Sequence, residues 1–281
     1  MNNKKVFSTP VILLIAVTFC ASALILFLNV GLWEGVRQGL VGGILATVWI
    51  IATKLILADE PIPNHFQIKR PFLELCLMTL ILAFMMADAA LGYLGILDIP
   101  LLGYLLLSVG LVVLIHLASK YELEMLGLRM PSRRGWLALV AIVLLNVFFA
   151  YIYWQLPAGE APTPQGADLA EEISGPFSVL VLLGSLLLVA ALPEELVLRV
   201  GLQPRLATFM GIGLAIVVQA LLFSVGHVPQ QMLRYERSPL IALAYVLPIE
   251  NGLIAGYLWY RTKSLPLLLL LHLFAFPRFG R

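Results

Sequence analysis

The residues able to do chemistry stand out in this chain because they interrupt long apolar stretches. Two adjacent acids, Glu194 and Glu195, follow an apolar run, and Arg199 comes four positions after the second acid. His227 and His272 lie in two later apolar stretches. A carboxylate and two histidines on separate helices are enough to activate a water molecule and to stabilise an oxyanion. The same residue types also form two-histidine, one-carboxylate metal sites, so spacing alone leaves both chemistries open.

Helical spacing gives the two acids different surroundings. Residues four apart share one helix face, so Glu195 and Arg199 are predicted to form an ion pair, whereas Glu194 is turned about 100° away. Glu194 is thus left for another partner, and a carboxylate in an apolar setting can act as a general base on water. Pro193 crowds the carbonyl four residues earlier, which predicts a kink just before the pair and a water-filled pocket beside it.

Each of these residues also has a simpler explanation. A charged cap at the cytoplasmic end of a span explains Glu194 to Arg199, an interfacial histidine explains His227, and a packing histidine explains His272.

Simple alternation of spans also places Glu194 near the inside end of its helix and His227 near the outside end of the next. The two meet only if the first helix continues past Arg199 and the second past His227, and we predict that both do.

The elements that must position these residues are membrane helices. Of 281 residues, 61% are hydrophobic and 12% are charged, which excludes an ordinary soluble enzyme and makes membrane lipid the partner implied by composition. The predicted fold class is all-α, a polytopic membrane helical bundle of about eight to nine transmembrane segments. The predicted segments are 6–30, 39–57, 72–97, 101–119, 136–154, 176–198, 209–226, 240–260 and 265–276, of which the last is too short to span unless its flanks contribute.

Charge and composition give the orientation and the division of the chain. Most of the 18 basic residues fall in inside loops if the N-terminus is cytoplasmic, as the positive-inside rule expects. The first apolar run has no cleavage site and is predicted to remain as a span. An acidic, Pro- and Gly-rich stretch over 156–175 separates N-terminal transmembrane helices (1–155) from a catalytic transmembrane domain (176–281). The predicted location is the cell membrane, plasma or inner, with multiple passes.

Several other chemistries lack their signatures. Cys20 and Cys76 both lie inside apolar runs, so neither a disulfide framework nor a cysteine metal cluster is predicted. The charges form no run typical of nucleic-acid binding, and no phosphate-binding glycine loop, Gly-x-Ser-x-Gly elbow or HExxH motif is present. His116 and Asp88 have no motif around them and are predicted to pack helices or mark boundaries.

Taken in order, the motifs resemble those of the CAAX-protease and bacteriocin-processing family of glutamic-type intramembrane proteases. They are Glu194-Glu195-x-x-x-Arg199, Phe223-x-x-x-His227, Gly252-x-x-x-Gly256 before Tyr260 to Ser264, and His272. The resemblance covers residues 176–276 and implies a helical bundle with a conical intramembrane cavity. It also implies an endopeptidase whose protein or peptide substrate enters from the bilayer. From the spacing itself, Gly252 and Gly256 predict close helix packing, and Phe223 is predicted to shape the pocket.

The resemblance implies a role for each motif residue. It implies Glu194 as the base that activates water, Glu195 and Arg199 as its supporting pair, His227 as the group that positions the water or assists proton transfer, and His272 as part of the oxyanion site. No cofactor is predicted, although a metal ion such as zinc stays an open alternative.

One position departs from the family pattern. Phe276 stands four positions after the last histidine, where the family usually has Asn. Either Asn251 or a backbone N–H then fills the oxyanion role, or the protein is a non-catalytic bacteriocin-immunity or membrane scaffold protein with the same fold. A transporter with a Glu–His proton relay is a third hypothesis, but the sequence lacks the repeat between halves that it predicts.

Overall fold

The apolar runs form helices in the computed structural model, which describes residues 6–63, 67–96, 99–155, 176–234, 237–247 and 249–275. The helices are α1 (Thr9–Asn29), α2 (Leu32–Ile56), α3 (Pro71–Tyr93), α4 (Leu101–Ala118), α5 (Arg133–Gln155), α6 (176–210), α7 (Ile212–Gly226), α8 (Val228–Arg234), α9 (Pro239–Val246), α10 (Glu250–Thr262) and α11 (Leu265–Ala275). A short 3₁₀ turn, Leu123–Leu126, lies between α4 and α5. Because these ranges contain no strand, the predicted all-α fold is confirmed.

The helices have the length and composition of membrane spans. Eight segments are long and apolar enough to cross a membrane, α7 with α8 forming one of them and α9 with α10 another. α11 is shorter, in line with the prediction that the ninth apolar run cannot span by itself. Large apolar side chains such as Leu28, Phe72 and Leu144 are exposed on the outer faces of their helices, as lipid contact requires. The protein is therefore a multi-pass membrane protein.

α2 begins earlier than the sequence predicts. The predicted segment starts at residue 39, whereas the helix starts at Leu32 and contains Glu34 and Arg37, both buried. Glu34 Oε2 lies 3.8 Å from Arg37 Nη1, and an ion pair one turn apart allows a helix to continue through charged residues. The predicted segment leaves Arg37 outside the span, and this boundary is wrong.

The segment predicted over 240–260 is two helices, α9 and α10. α9 ends at Val246 and α10 begins at Glu250. The sequence has Pro248 between them, and proline disfavours helical backbone at the residue before it while removing one hydrogen-bond donor. α10 thereby becomes a separate helix with its own N-terminus, at which Glu250 and Asn251 lie.

Both halves of the chain contribute to one core. Trp49 of α2, Ile142 of α5 and Trp259 of α10 are fully buried in the same apolar cluster. The span Pro239–Thr262 is 71% buried, whereas the other seven spans are 17% to 44% buried. α10 is therefore enclosed by the other helices, and packing joins the two domains predicted from the sequence. The acidic stretch predicted to divide them, 156–175, lies outside the described residues.

Candidate active site

The part of α6 that carries the two acids is wound more widely than an ordinary α-helix. π-helical turns run over Leu186–Ala191 and Glu195–Leu202, on either side of a short α-helical piece that contains Pro193. Proline lacks the backbone donor that an α-helical turn needs, and a wide turn accommodates the missing bond. The predicted disturbance at Pro193 thus takes the form of wide turns within a helix that continues. Every residue of Glu195–Leu202 is buried.

Glu195 and Arg199 form the ion pair that the spacing predicts. Glu195 Oε2 lies 3.3 Å from Arg199 Nε, and both side chains are fully buried. The Arg199 guanidinium carbon also lies 4.7 Å from the centroid of the Phe223 ring on α7, a cation–π distance. The guanidinium nitrogens have no hydrogen-bond partner among the described residues. The charge of the arginine is therefore stabilised by one carboxylate and one aromatic ring face.

His272 of α11 reaches both acids of α6. Its Nδ1 lies 3.1 Å from Glu195 Oε1, and its Nε2 lies 3.7 Å from Glu194 Oε2. An ionised carboxylate only accepts hydrogen bonds, so Nδ1 carries a proton and donates it to Glu195. Nε2 then faces the Glu194 carboxylate, and a proton held by either group makes this second contact attractive. The imidazole can thus share a proton with Glu194 while Glu195 fixes its orientation.

The two acids differ in access. The Glu195 side chain is fully buried, whereas that of Glu194 is 20% exposed. Glu194 Oε2 has no hydrogen-bond partner among the described residues. This difference agrees with the division predicted from helical spacing, in which Glu195 is held by Arg199 and Glu194 is the accessible carboxylate.

His227 contacts Phe223, the residue whose ring packs on Arg199. Its Nδ1 lies 2.8 Å from the Phe223 carbonyl oxygen, which can only accept, so Nδ1 donates and a neutral His227 has its lone pair on Nε2. The Phe223 ring centroid lies 4.7 Å from the His227 ring and 6.5 Å from the His272 ring. Phe223 therefore contacts Arg199 and both histidines, beyond the packing role predicted for it. His227 Nε2 makes no hydrogen bond to a described residue and is free to orient water.

The chain remains helical beyond both motifs. α6 continues past Arg199 to Met210, and α8 follows His227 and continues to Arg234. The predicted extension of α6 is confirmed, whereas α7 ends at Gly226 and the chain continues beyond His227 as the separate helix α8.

α10 packs closely on α7 through its two glycines. A Cβ added to Gly252 would lie 2.7 Å from the Ala220 Cα, and Gln219 Nε2 donates to the Gly252 carbonyl at 2.8 Å. Gln203 Nε2 of α6 donates to the Gly256 carbonyl at 3.0 Å. The close packing predicted from Gly252-x-x-x-Gly256 is confirmed, and it joins α6, α7 and α10 around the candidate site.

Asn251, the predicted oxyanion donor, is half-buried at the start of α10. Its neighbour Gly252 packs on Ala220 of α7. Its side chain makes no hydrogen bond to a described residue, so no hydrogen bond connects it to Glu194, Glu195 or His272. Phe276, the departure from the family pattern, lies outside the described residues.

Tyr104 of α4 was not singled out by the sequence. Its phenol group lies within electrostatic range of both Glu194 and Asp88. Its ring also lies 6.4 Å from that of Phe84. The sequence-based prediction relies on Asp, Glu, Arg and His side chains within apolar spans. A tyrosine hydroxyl group in such a span is an equally informative polar group.

A second polar cluster joins the N-terminal end of α3 to the C-terminal end of α6. Arg205 Nη2 lies 2.8 Å from Glu74 Oε2, and both side chains are buried. The Tyr121 hydroxyl donates to Glu74 Oε1 at 2.7 Å, and burial together with this carboxylate raises the pKa of Tyr121. His116 packs its ring 5.2 Å from that of Tyr121, in keeping with the packing role predicted for it. The predicted segment ends at residue 198 and leaves Arg205 in a loop, so the sequence does not predict its pair with Glu74.

In the described part of the chain, no three His, Cys, Asp or Glu side chains are grouped so that they could hold a metal ion. Both cysteines are unpaired and exposed on their helices, as expected for residues inside apolar runs.

Comparison with known proteins gives one match. Residues 176–275 match the family model described as type II CAAX prenyl endopeptidase Rce1-like. Neither the curated proteins nor the solved structures gave a match to the chain. The matched segment contains Glu194, Glu195, Arg199, His227 and His272, so the residues brought together by α6, α7 and α11 all lie within it. The resemblance predicted from the motif order is thus confirmed for residues 176–275, which are similar to the Rce1-like endopeptidases.

Proposed function

We propose that the protein is an intramembrane endopeptidase of the glutamic type, which hydrolyses a peptide bond in a membrane-associated protein or peptide with a water activated by Glu194. The observation that carries this proposal is the contact of His272 with the carboxylates of Glu194 and Glu195, of which Glu195 forms a buried ion pair with Arg199. An accessible acid beside a fixed imidazole is an arrangement suited to moving one proton.

The proposed reaction uses no covalent intermediate. His227 Nε2 orients a water molecule, Glu194 takes one of its protons, and the water oxygen attacks the peptide carbonyl carbon. The proton then passes, by way of the Glu194–His272 pair, to the leaving nitrogen as the C–N bond breaks. The products are a carboxylate and an amine. A protonated His272 is suited to stabilise the oxyanion, and Asn251 is the second proposed donor.

The substrate class follows from the location of the site. Glu194 lies among spans that expose apolar faces, so the substrate is proposed to enter from the bilayer. The name of the matched family makes a prenylated C-terminal CAAX peptide the first substrate to test, while a bacteriocin leader and a sorting tail are further choices. The proposed location is the cell membrane with a cytoplasmic N-terminus.

Two substitutions test the proposed function. Purified protein in lipid nanodiscs is incubated with a fluorogenic prenylated CAAX peptide, and its cleavage rate is compared with those of Glu194→Gln and His227→Ala. Removing a general base or its partner costs about 10²–10⁴-fold in rate, so both variants are expected to lose nearly all activity. Glu124→Gln changes an exposed acid of the 3₁₀ turn and serves as the control with unchanged rate.

The same assay separates the proposal from its alternatives. Retained cleavage by Glu194→Gln contradicts the assigned base. A rate that falls on chelation and returns with zinc contradicts the metal-independent chemistry. If the wild-type protein cleaves none of the three substrate types, the non-catalytic immunity or scaffold function replaces the proposal.

A further inference from the structure

A cavity of about 430 Å³ lies away from the candidate active site, where the loop after α2, the loop before α5 and the end of α10 meet. Its lining includes four arginines and two acids: Arg129, Arg133, Arg134, Arg261, Asp59 and Glu60. These loops are the ones that the charge distribution assigns to the inside of the membrane. Nothing in the endopeptidase chemistry uses this cavity.

The two acids are already engaged with other groups. Asp59 Oδ2 lies 2.9 Å from Arg134 Nη1, and the Glu60 carboxylate accepts a hydrogen bond from the Ser132 hydroxyl. The Arg134–Asp59 pair is largely exposed, so it contributes little by itself. Neutralising one arginine with one acid leaves the cavity with more positive than negative charge.

The remaining arginines keep unused donors. Arg129 and Arg133 are exposed and make no side-chain hydrogen bond or ion pair with any described residue. Arg261 is only 8% exposed and donates to the carbonyl oxygens of Leu57 and Glu60, yet its Nε has no partner in the described part of the chain. A buried guanidinium N–H without a partner is costly, and an anion in the cavity would satisfy it.

The edge of the cavity is apolar. Met130, which lines it, is 74% exposed, and the neighbouring Leu128 is 64% exposed. Leu137, near the start of α5, is also exposed. An anion-binding cavity beside apolar side chains at the ends of membrane spans has the two parts that a phospholipid needs, one for the phosphate group and one for the acyl chains.

We infer that this cavity binds the phosphate group of an anionic phospholipid, with Arg129, Arg133 and Arg261 as the donors and Met130 against the lipid chains. Arginine binds phosphate through paired N–H groups, and basic side chains at the inner leaflet attract anionic lipid. A free phosphate ester has the same phosphate chemistry as the headgroup but has no acyl chain to contact the apolar edge. The experiment below separates these two sources.

Lipid retention tests the inference without reference to protease activity. The full chain is purified in detergent after exchange into mixed phosphatidylglycerol and phosphatidylcholine, and native mass spectrometry counts the lipids that stay bound. The wild-type protein is expected to retain phosphatidylglycerol in preference to phosphatidylcholine. The double substitution Arg129→Gln and Arg133→Gln is expected to weaken this retention about tenfold or more. These two side chains have no described partner, so the variant is expected to fold.

Matched variants and a competitor make the test specific. Arg70→Gln removes an exposed basic residue on the same predicted side but outside the cavity, and it is expected to leave retention unchanged. Met130→Ser is expected to weaken phosphatidylglycerol binding. Displacement of the lipid by inorganic phosphate, together with no effect of Met130→Ser, would overturn the lipid in favour of a free phosphate ester. An equal loss in Arg70→Gln, or retention unchanged in the double variant, would overturn the site itself.

Discussion

Arg199 is a buried cation whose charge is balanced by one carboxylate and one aromatic ring. Its contacts with Glu195 and Phe223 come from helices α6 and α7, so the side chain fixes the relation between the two motifs that the chemistry needs. A lysine has neither the planar face nor the forked donors of arginine and would serve this position poorly. The candidate site thus combines the rings of Phe223, His227 and His272 with the buried ion pair of Glu195 and Arg199.

Lys263 gives the protein a pH dependence at the residue scale. The side chain lies between α10 and α11, where burial lowers its pKa from 10.5 to about 7. The unfolded chain then binds a proton more tightly than the folded chain between these two values, so the stability of the folded protein is expected to rise as the pH rises from about 7 to about 10. Below pH 7 this contribution to the pH dependence is absent, because both states are protonated.

Thermal unfolding in detergent at a series of pH values checks this expectation. Lys263→Met keeps an apolar stem of similar length at the same left-handed backbone position, with φ of 48°. Its midpoint is expected to lack the rise between pH 7 and pH 10. An identical pH profile for the two proteins contradicts the assignment of the titration to Lys263.

α6 is the element on which the candidate site depends most. It carries Glu194, Glu195 and Arg199, and its C-terminal end is fixed to α3 by the ion pair of Arg205 with Glu74. Arg205 Nη1 also donates to the carbonyl oxygens of Val200 and Gly201, groups that the wide turn leaves available. The cluster therefore holds the helix just beyond the π-helical stretch.

Removing one partner of this ion pair is expected to destabilise the protein strongly. Glu74→Ala leaves the Arg205 guanidinium buried without its counter-charge, which costs about 3–5 kcal/mol. Unfolding by denaturant in mixed micelles measures the change, with Glu124→Ala as an exposed acid whose loss is expected to change little. Replacing the pair by apolar residues, Glu74→Leu with Arg205→Met, is expected to recover most of the loss. Equal stability of Glu74→Ala and the wild type contradicts the role given to the cluster.

The sequence predicts the local parts of this arrangement and misses the distant ones. Glu195 and Arg199 are one turn apart, so helical spacing alone predicts their pairing. Glu74 and Arg205 are far apart in the chain, and their contact depends on how α3 packs against α6, which periodicity does not reveal. The contact of His272 with the two acids is equally distant in the chain, and the resemblance implied only that His272 belongs to the oxyanion site.

The contacts between loops describe the protein as a whole. Ser264 Oγ donates to the Arg129 carbonyl at 2.7 Å, Arg134 pairs with Asp59, and Lys69 Nζ donates to the Ser119 carbonyl at 2.7 Å. These contacts join the loops after α2, α4 and α10. Three loops that touch one another lie on one side of the membrane, and each of them is assigned to the inside by the positive-inside rule.

Labelling of single cysteines tests this topology on the intact protein. In a background with Cys20→Ser and Cys76→Ser, Asp59→Cys and Glu124→Cys place a thiol in two of the touching loops, and Leu32→Cys places one at the exposed start of α2. A membrane-impermeant thiol reagent added to intact cells is expected to label only Leu32→Cys, while the other two react after lysis. Labelling of the opposite set reverses the orientation and leaves the fold intact. Labelling that separates Asp59→Cys from Glu124→Cys contradicts the packing of the loops, because residues on opposite sides of a bilayer cannot form the contact between Asp59 and Arg134.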